Sequence, residues 1–391
     1  MSQFDQVIER RNSGSVKWDL VEELYGSRDV LPMWVADMDF HAPRPVVEAI
    51  VARAQHGVYG YTMRPASVYE AIEDWARTRH NWTIEREWIG FSPGVVPGLA
   101  FLLYALSEPG DKIIIQPPVY HPFAFTIREN DRQIVNNPLI FEDGQYRMDF
   151  EDLRQKAHDG ARLMILCSPH NPIGRVWTRE ELQRLGEICI QHGITVISDE
   201  IHSDLLMPGQ VHTPFASIGE EFAQNSVVCT APSKTFNLAG LQTSIITIPN
   251  KELRDKFNAI MNRLHLGLPN TFGLAAMEAA YRFGGEWLDE LGGYLSENLA
   301  YLTAFFEREA PQIKVVQPQG TYLAWLDCRE LGLSTEELSR FMREDAKVGL
   351  DDGHIFGPGG DGFERINIAC PRSVLQDGLQ RIAGAVRKLG A

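Results

Sequence analysis

The chain has 391 residues, 44% of them hydrophobic, which suffices to bury a large core and to form two domains or one large domain with a smaller partner. Its formal net charge of -15 argues against nucleic acid or an anionic membrane surface as the main partner. The first residues carry no basic-then-apolar signal, and no stretch approaches about 18 uninterrupted apolar residues. We therefore expect a globular, cytoplasmic protein.

The cysteines give no sign of a disulfide framework or a metal site. They are odd in number, and none forms a Cys-x-x-Cys pair. Four of the five lie in apolar or strand-like surroundings. We expect buried thiols at Cys167, Cys189, Cys229, Cys328 and Cys370.

The first quarter of the chain contains one apolar arm and one turn that suits an anion. Residues 31–40 are mostly apolar and carry Trp34 and, near their end, Asp37 and Asp39, so they either pack onto the body of the fold or line a site. Residues 45–55 are amphipathic and stop before Gly57, which predicts a short helix. Residues 88–92 predict a strand, and a glycine turn leads from it into an apolar helix that runs to about Leu106. The first N–H groups of such a helix are unpaired and suit a phosphate.

Strands alternate with helices through the middle of the chain, which implies parallel pairing with right-handed crossovers. The predicted strands cover residues 112–116, 134–138, 163–167, 194–198, 226–230 and 244–248, and the predicted helices cover residues 150–157, 179–191, 251–264 and 271–283. A long helical segment over 286–310 leads to short strands at 315–316, 322–326, 347–350 and 363–368, with a helix over 335–346.

Lys234 is poorly explained by packing. It lies between Ser233 and Thr235, just past the apolar run at 226–230. A lone Ser-Lys-Thr is usually a solvated surface charge. The strand before it instead places Lys234 at a strand's carboxyl end, where open α/β sheets bind ligands. The predicted strands 163–167 and 194–198 are likewise followed directly by polar segments.

Three segments resemble the successive signatures of fold-type I enzymes that use pyridoxal 5'-phosphate (PLP): Asn-Pro-x-Gly at 171–174, Asp-Glu-x-His at 199–202 and Ser-Lys-Thr-Phe at 233–236. Within that superfamily the chain most resembles the cystathionine β-lyase branch, the cysteine-S-conjugate β-lyases or C–S lyases. This closer resemblance is carried by residues 34–40, 60–61, 92–96, 117–120, 170–172 and 199–204. It covers nearly the whole chain.

The resemblance implies an α/β fold with a large, mostly parallel sheet that has helices on both faces, and a smaller α+β domain. It divides the chain into three parts. Residues 1–44 form an N-terminal arm that belongs to the small domain, residues 45–284 form the large PLP-binding domain, and residues 285–391 form the C-terminal small domain.

The resemblance also implies which residues contact the cofactor ring and which residues act in the reaction. Lys234 holds PLP as a Schiff base and, once freed by the substrate amine, takes the Cα proton. Asp199 pairs with the pyridine nitrogen, and Tyr120 stacks on the ring. Asn171 and His202 hydrogen-bond the ring oxygen. The implied catalytic residues are Lys234, Tyr120 and Asp199.

The resemblance assigns contacts with the cofactor phosphate to two segments of this chain and to one residue of another subunit. The backbone of Gly94, Val95 and Val96 cradles it, and Ser233 assists. Tyr61 is implied to reach across a dimer interface to the phosphate of the other subunit. The resemblance therefore implies an obligate homodimer with its active sites at the interface.

Arg365 is the candidate for the α-carboxylate of an amino-acid substrate, since a guanidinium offers a carboxylate two parallel donors. The resemblance places Ala36 and Asp37, in the arm, near that carboxylate, and plain packing is the alternative for both. One local departure concerns residues 351–353, which are Asp-Asp-Gly where relatives tend to have Glu-Pro-Gly. The segment thus carries two acids at the substrate entrance, one more than Glu-Pro-Gly, and this bears on substrate preference.

The activity implied is cleavage of the Cβ–S bond of L-cystathionine or a related cysteine S-conjugate, to a thiol such as homocysteine, pyruvate and ammonia, as in methionine biosynthesis and cysteine metabolism. One alternative is an aminotransferase, because the same residues support amino transfer when Cβ carries no leaving group. His202 favours the lyase branch, since many aminotransferases have tyrosine there. The other alternative is a lyase-like regulator that binds a transcription activator, as some relatives do.

Overall fold

The structure is a computed structural model that describes residues 2–389. Its helices are α1 (Val16–Asp19), α2 (Val21–Tyr25), α3 (Arg44–Gln55), α4 (Ala66–His80), α5 (Val95–Leu106), α6 (Pro122–Glu129), α7 (Phe150–His158), α8 (Arg179–Gln191), α9 (Glu220–Gln224), α10 (Pro232–Thr235), α11 (Lys251–Arg263), α12 (Thr271–Phe283), α13 (Gly285–Glu309), α14 (Thr335–Arg340) and α15 (Arg372–Leu389). Its strands are β1 (Leu31–Pro32), β2 (Ile89–Ser92), β3 (Lys112–Ile115), β4 (Gln133–Asn136), β5 (Ile140–Glu142), β6 (Gln145–Arg147), β7 (Ala161–Cys167), β8 (Thr195–Asp199), β9 (Ser226–Thr230), β10 (Ser244–Thr247), β11 (Lys314–Val316), β12 (Leu323–Asp327), β13 (Val348–Gly349), β14 (Asp351–Asp352) and β15 (Phe363–Asn367).

The large sheet has seven strands in the order β2-β10-β9-β8-β7-β3-β4. Strand β10 runs antiparallel to both neighbours, and the other adjacent pairs are parallel. Successive residues of a strand point to opposite faces. Accordingly, Leu163 and Ile165 of β7 pack with α5, α6 and α11, whereas Met164 and Leu166 pack with α7 and α8. The predicted mostly parallel sheet with helices on both faces is confirmed.

A second, four-stranded sheet has the antiparallel order β11-β12-β15-β14. Helix α13 leads to it and continues without a break through Gly292 and Gly293. The arm joins this part of the chain, since β1 pairs in parallel with β13. This pairing supports the division into an arm, a large domain and a small domain, whose boundaries stay a prediction.

Most predicted elements lie within two residues of their observed bounds. Several observed elements were not predicted, among them helices α4, α6 and α15 and the hairpin of β5 and β6. The helix predicted over 335–346 ends as α14 at Arg340 and continues as one π-helical turn, Phe341–Asp345. All five cysteines are buried, as expected. Within residues 2–389 no helix is both long and apolar enough to cross a membrane.

The parallel strands β7, β8 and β9 end at the same edge of the large sheet. The polar segments predicted from sequence follow directly after these three ends, so they converge there. Gly174 holds one of them against the small sheet: its φ is 71°, and a Cβ there would collide with Pro318. This explains the glycine of the Asn-Pro-x-Gly segment by backbone geometry and close packing.

Candidate active site

A cavity of about 180 Å³ lies at this edge of the sheet. It is lined by predicted site residues from all parts of the chain, namely Ala36, Gly94, Val95, Val96, Tyr120, Asn171, Asp199, His202, Ser233 and Lys234. The remaining lining residues are Pro93, Pro97, Cys167, Ile201, Ala239 and Thr243, which were not predicted as site residues. Three predicted residues, Asp37, Tyr61 and Arg365, do not line the cavity.

Lys234 lies in the short helix α10, directly after β9, and its side chain is turned into the cavity. Its Nζ donates a hydrogen bond to the carbonyl oxygen of Ala36 at 2.5 Å. Burial and the nearby Arg365 cation lower the pKa of Lys234 to about 8, against the opposing effect of Asp37 and Asp199. A lysine with such a pKa provides a neutral, nucleophilic amine far more readily than one at the surface.

Asp199 is the last residue of β8 and is buried. Burial raises its pKa to about 7, and Glu200 adds to the shift, while the Ile201 amide and Lys234 oppose it. Its Oδ1 accepts a hydrogen bond from the Ile201 N–H at 3.1 Å. A cation brought into the cavity beside this carboxyl group would keep it ionised, because opposite charges stabilise each other's charged forms.

His202 is buried on the same wall and is neutral. Burial, together with the Lys234 and Arg365 cations, holds its pKa well below the ordinary histidine value. Its Nδ1 is buried and finds no hydrogen-bond partner among residues 2–389. A buried polar atom without a partner at a cavity wall suits a ligand that can pair with it.

Tyr120 and Asn171 also line the cavity, and a backbone hydrogen bond joins them. The Tyr120 N–H donates to the Asn171 carbonyl oxygen at 2.9 Å. Burial raises the pKa of Tyr120 to about 12, so its phenol stays protonated, and its ring packs edge-on against Phe123. Side-chain Oδ1 of Asn171 accepts from Nη1 of Arg365 at 2.9 Å. A flat, fixed aromatic face thus borders the cavity.

The segment predicted from sequence to cradle a phosphate lies at the start of helix α5 and lines the cavity. Gly94 is the N-cap of α5, so the cavity meets the unpaired N–H groups and positive dipole end of a 12-residue helix. Ser92 Oγ fixes the turn by donating to the Gly94 carbonyl at 2.8 Å. A Cβ at Gly98 would lie 2.7 Å from that same Oγ, which keeps α5 close to β2. Ser233 lines the same cavity.

The arm forms another wall, and several polar side chains hold its backbone in place. Asn367 Nδ2 donates to the carbonyl oxygens of Val35 and Asp37, both at 2.6 Å. The Tyr322 hydroxyl donates to the Ala36 carbonyl at 2.8 Å. Ala36 is therefore a fixed acceptor in the cavity wall that serves both Tyr322 and Lys234.

The Asp37 carboxylate lies outside the cavity and belongs to a cluster of charges in the arm. It pairs with Arg10 at 2.6 Å and with Lys17 at 3.6 Å. Both cations also pair with Asp39, at 2.6 and 2.7 Å. These contacts favour a structural part for Asp37, and its predicted place near the substrate carboxylate stays a prediction.

Arg365 is buried in β15 beside the cavity. Its Nη1 bonds Asn171, and its Nη2 donates to the Trp34 carbonyl at 3.0 Å and to the Asp351 carboxylate. The guanidinium packs over the Phe356 ring, 5.0 Å from its centroid. Its Nε is buried and has no partner in the described part of the chain. Arg365 is thus one residue removed from the cavity, reached through Asn171.

Tyr61 lies away from the cavity, with 97% of its surface exposed. Neighbouring residues of the same loop are also apolar and exposed, among them Val58, Tyr59 and Met63. Within one chain Tyr61 takes no part in the site, and its predicted reach into another subunit stays a prediction.

Besides the six lining residues named above, Tyr322 and Asp351 support the site from behind the cavity wall and were not predicted as site residues, and each lacked a usable signal. Tyr322 falls in an apolar run that predicts a strand, where an inward tyrosine is indistinguishable from core. Asp351 was noted as a departure, but its pairing with Arg365 depends on the register of β14 against β15, which local sequence does not give.

Comparison with known proteins places the whole chain in one family. The family model for aminotransferase class I and II matches residues 28–382. Cystathionine beta-lyase PatB of Bacillus subtilis is 50% identical over 384 residues, which are 98% of this chain and 99% of that protein. Among solved structures, cystalysin from Treponema denticola, which contains a PLP cofactor, is 39% identical with a TM-score of 0.96 and covers 100% of both chains. The PLP-bound C-S lyase from Staphylococcus hominis is 36% identical, with a TM-score of 0.92 and 99% and 98% of the two chains covered. The chain therefore has the fold-type I architecture and belongs to the aminotransferase class I and II family.

Proposed function

We propose that this protein is a PLP-dependent C–S β-lyase that cleaves L-cystathionine or a related cysteine S-conjugate to a thiol, pyruvate and ammonia. The observation that carries the proposal is Lys234, a half-buried amine with a pKa lowered to about 8 that shares one cavity with Asp199, Asn171 and His202. The similar proteins named above, a cystathionine beta-lyase and a C-S lyase, support the reaction class.

The residues of the cavity fit PLP by their chemistry. The buried Nδ1 of His202 and the Asp199 carboxyl group supply partners for the polar atoms of a pyridine ring. Lys234 supplies an amine for the aldehyde, and the N-terminus of α5 supplies donors for the phosphate. Tyr120 offers a flat face to the ring. When bound, PLP withdraws the electron pair left at the substrate Cα.

Lys234 has the central part in the proton transfers. Its Nζ takes the Cα proton of the substrate, and the Ala36 carbonyl then accepts a hydrogen bond from the resulting ammonium. As the Cα–H bond breaks, the Cβ–S bond breaks and the thiolate carries away its electron pair. The released enamine hydrolyses to pyruvate and ammonia. Asp199 would keep the ring nitrogen of bound PLP protonated, and Arg365, behind the cavity wall, would hold the α-carboxylate with the donors that its present partners leave free.

We infer that the active protein is a homodimer with its active sites at the interface. Monomeric proteins rarely expose a large apolar surface, and this chain exposes several apolar side chains around Tyr61. The loop around Tyr61 packs beside the start of α12, since Thr62 Oγ1 lies 2.6 Å from Thr271 Oγ1 and Arg64 donates to the Gly267 carbonyl at 2.8 Å. We define the apolar patch as the exposed side chains on and next to this loop: Val47, Val51, Val58, Tyr59, Tyr61, Met63, Leu264 and Leu268.

An aminotransferase is the competing reaction, and the family to which the chain belongs is named for it. Substrates with and without a β leaving group separate the two. With L-cystathionine the purified protein should form pyruvate, and with L-alanine and no added acceptor it should form no more than one equivalent. If both amino acids give only a single equivalent of product, restored by a 2-oxo acid, the lyase proposal is wrong. The cytoplasmic location and a part in methionine biosynthesis stay predictions.

A further inference from the structure

Arg365 already has a carboxylate partner supplied by the protein. In the antiparallel pairing of β14 with β15, Asp351 lies directly opposite Arg365, and its carboxylate bonds Nη2 of the guanidinium. Both side chains are buried. Because both residues lie in paired strands, the register of the two strands fixes the position of Asp351 relative to Arg365.

The neighbouring Asp352 differs in its contacts. Its Oδ2 accepts from the Ser339 hydroxyl at 2.7 Å, on the side of the strand away from Arg365. The two acids of the Asp-Asp-Gly segment thus have distinct surroundings, and only Asp351 touches the guanidinium. This gives a matched pair of carboxylates for experiment.

The charges around Arg365 balance in pairs. Lys234 faces Asp199, and Arg365 faces Asp351, while Asp37 is paired with Arg10 and Lys17. The nearby His202 and His121 have pKa values lowered by burial and by Arg365, and add no positive charge at neutral pH. A bare anion that enters this region therefore meets no net positive charge.

We propose that Asp351 is a specificity-determining residue, which screens Arg365 so that 2-oxo acids bind poorly compared with zwitterionic amino acids. A 2-oxo acid brings one uncompensated negative charge, and the attraction of Arg365 for it is largely cancelled by the repulsion of Asp351 a few ångström away. An amino acid brings an ammonium group as well, which is attracted to the surrounding carboxylates.

The consequence concerns the choice between elimination and amino transfer. Amino transfer requires a 2-oxo acid to bind in the same site, whereas β-elimination requires none and releases an enamine that becomes pyruvate by hydrolysis. Weak binding of 2-oxo acids therefore disfavours amino transfer, and it keeps the accumulating pyruvate from competing with the substrate. This inference rests on the proposed function and names the residue that keeps it to lyase chemistry.

The test is a calorimetric titration of the cofactor-loaded, full-length protein with pyruvate, at low ionic strength. It is done at pH 8, since burial raises the pKa of Asp351 above the ordinary value. Asp351→Asn should bind pyruvate about tenfold more tightly than wild type, the gain expected for removing one close like charge. The KM for L-cystathionine should fall by a smaller factor than the Kd for pyruvate, because the substrate ammonium group loses its attraction to Asp351 while the substrate carboxylate loses the repulsion.

Three controls give the result its meaning. Asp352→Asn removes the same charge from the same strand without touching Arg365, and should keep the wild-type affinity for pyruvate. Asp351→Glu keeps the screening charge and should also stay near wild type. Arg365→Gln should abolish pyruvate binding, which shows that the titration reports this guanidinium. Asp351→Ser carries the same expectation as Asp351→Asn if the latter folds poorly.

The proposal is overturned if Asp351→Asn binds pyruvate no more tightly than wild type, or if Asp352→Asn tightens binding equally. Weaker binding in Asp351→Asn would mean that Asp351 merely positions Arg365, which also overturns it. Failure of the proposed lyase activity would appear separately, as no pyruvate formed from L-cystathionine by the wild-type protein, and would leave the titration interpretable.

Discussion

At the scale of residues, the site is governed by burial acting on a few ionisable groups. Burial lowers the pKa of Lys234 to about 8 and raises that of Asp199 to about 7, so the two values lie much closer together than in water. Groups shifted in this way at a cavity are typical of sites that move protons. The backbone of Thr321, just before Tyr322, has a φ of 72°, a conformation that is costly for a β-branched residue. Such strained residues are common next to functional sites.

Replacement of Lys234 by Ala should abolish the absorbance of the lysine-bound cofactor and lower the elimination rate by about 10²- to 10⁴-fold, since the variant lacks the amine and the base. Visible spectroscopy and a pyruvate assay measure the two effects. Lys251→Ala, which removes an exposed lysine paired with Asp255, serves as the control and should behave as wild type. An active, coloured Lys234→Ala protein would contradict the assignment.

His170 should make stability fall in mild acid. It is fully buried, and burial lowers its pKa to about 3, whereas an unfolded histidine titrates near 6.5. Between these values the unfolded state binds more protons, so the free energy of unfolding decreases as the pH falls below about 6.5. Between pH 6.5 and 5 this one residue should cost about 1–2 kcal/mol.

The measurement is denaturant unfolding as a function of pH, for wild type and His170→Gln. Glutamine retains a donor for the Gln116 carbonyl, 3.2 Å from His170 Nε2, and does not titrate, so the variant should show a shallower decline. His41→Gln changes an exposed imidazole and should keep the wild-type slope. Equal slopes in wild type and His170→Gln would refute this account of His170.

At the scale of elements, the arm is the least predictable part of the site. The strands that deliver Lys234, Asp199 and Asn171 were predicted from their apolar runs, and their parallel pairing brings the three strand ends together. Nothing in the arm's own sequence indicates that Asn367, over 300 residues away, holds it. Contacts of this range follow from the packing of the whole chain and not from local patterns.

Helices α4 and α15, in contrast, have a recognisable pattern in the sequence. The buried residues of α4 recur at helical spacing, at Val68, Ala71, Ile72 and Trp75, and those of α15 do likewise. The signal was therefore present in the sequence. The register that joins Asp351 to Arg365 has no such signal, because it is decided by how two strands meet in space.

Asn367→Ala should loosen the arm without removing any group that contacts a substrate directly. Loss of its two hydrogen bonds to the arm should raise the KM for L-cystathionine by about tenfold and lower stability by about 1–3 kcal/mol. Steady-state kinetics and thermal unfolding measure these effects.

Asn298→Ala is the matched control, since this buried asparagine also donates to two backbone carbonyls, at 2.9 Å each, but away from the cavity. It should lose comparable stability with an unchanged KM. If both variants, or neither, shift the KM, the arm is not the wall that confines the substrate.

At the scale of the whole molecule, every residue predicted to bind the cofactor lines one cavity of a single chain, except Tyr61. The apolar patch around that loop predicts the dimer. Val58→Asp together with Leu268→Asp should convert the protein to monomers, because two buried, unpaired carboxylates oppose association. Sedimentation velocity measures the change. Val211→Asp alters a side chain that is 78% exposed outside the patch and should leave the assembly intact; monomeric wild-type protein would refute the prediction outright.

A balance of products tests whether the protein catalyses β-elimination. The cofactor-loaded protein is mixed with L-cystathionine and no 2-oxo acid, and pyruvate, ammonia and free thiol are measured together over many turnovers. Equal and continuing release of all three is the predicted result, with none from Lys234→Ala. Release that stops after one equivalent and resumes only when a 2-oxo acid is added would contradict the claim and identify an aminotransferase.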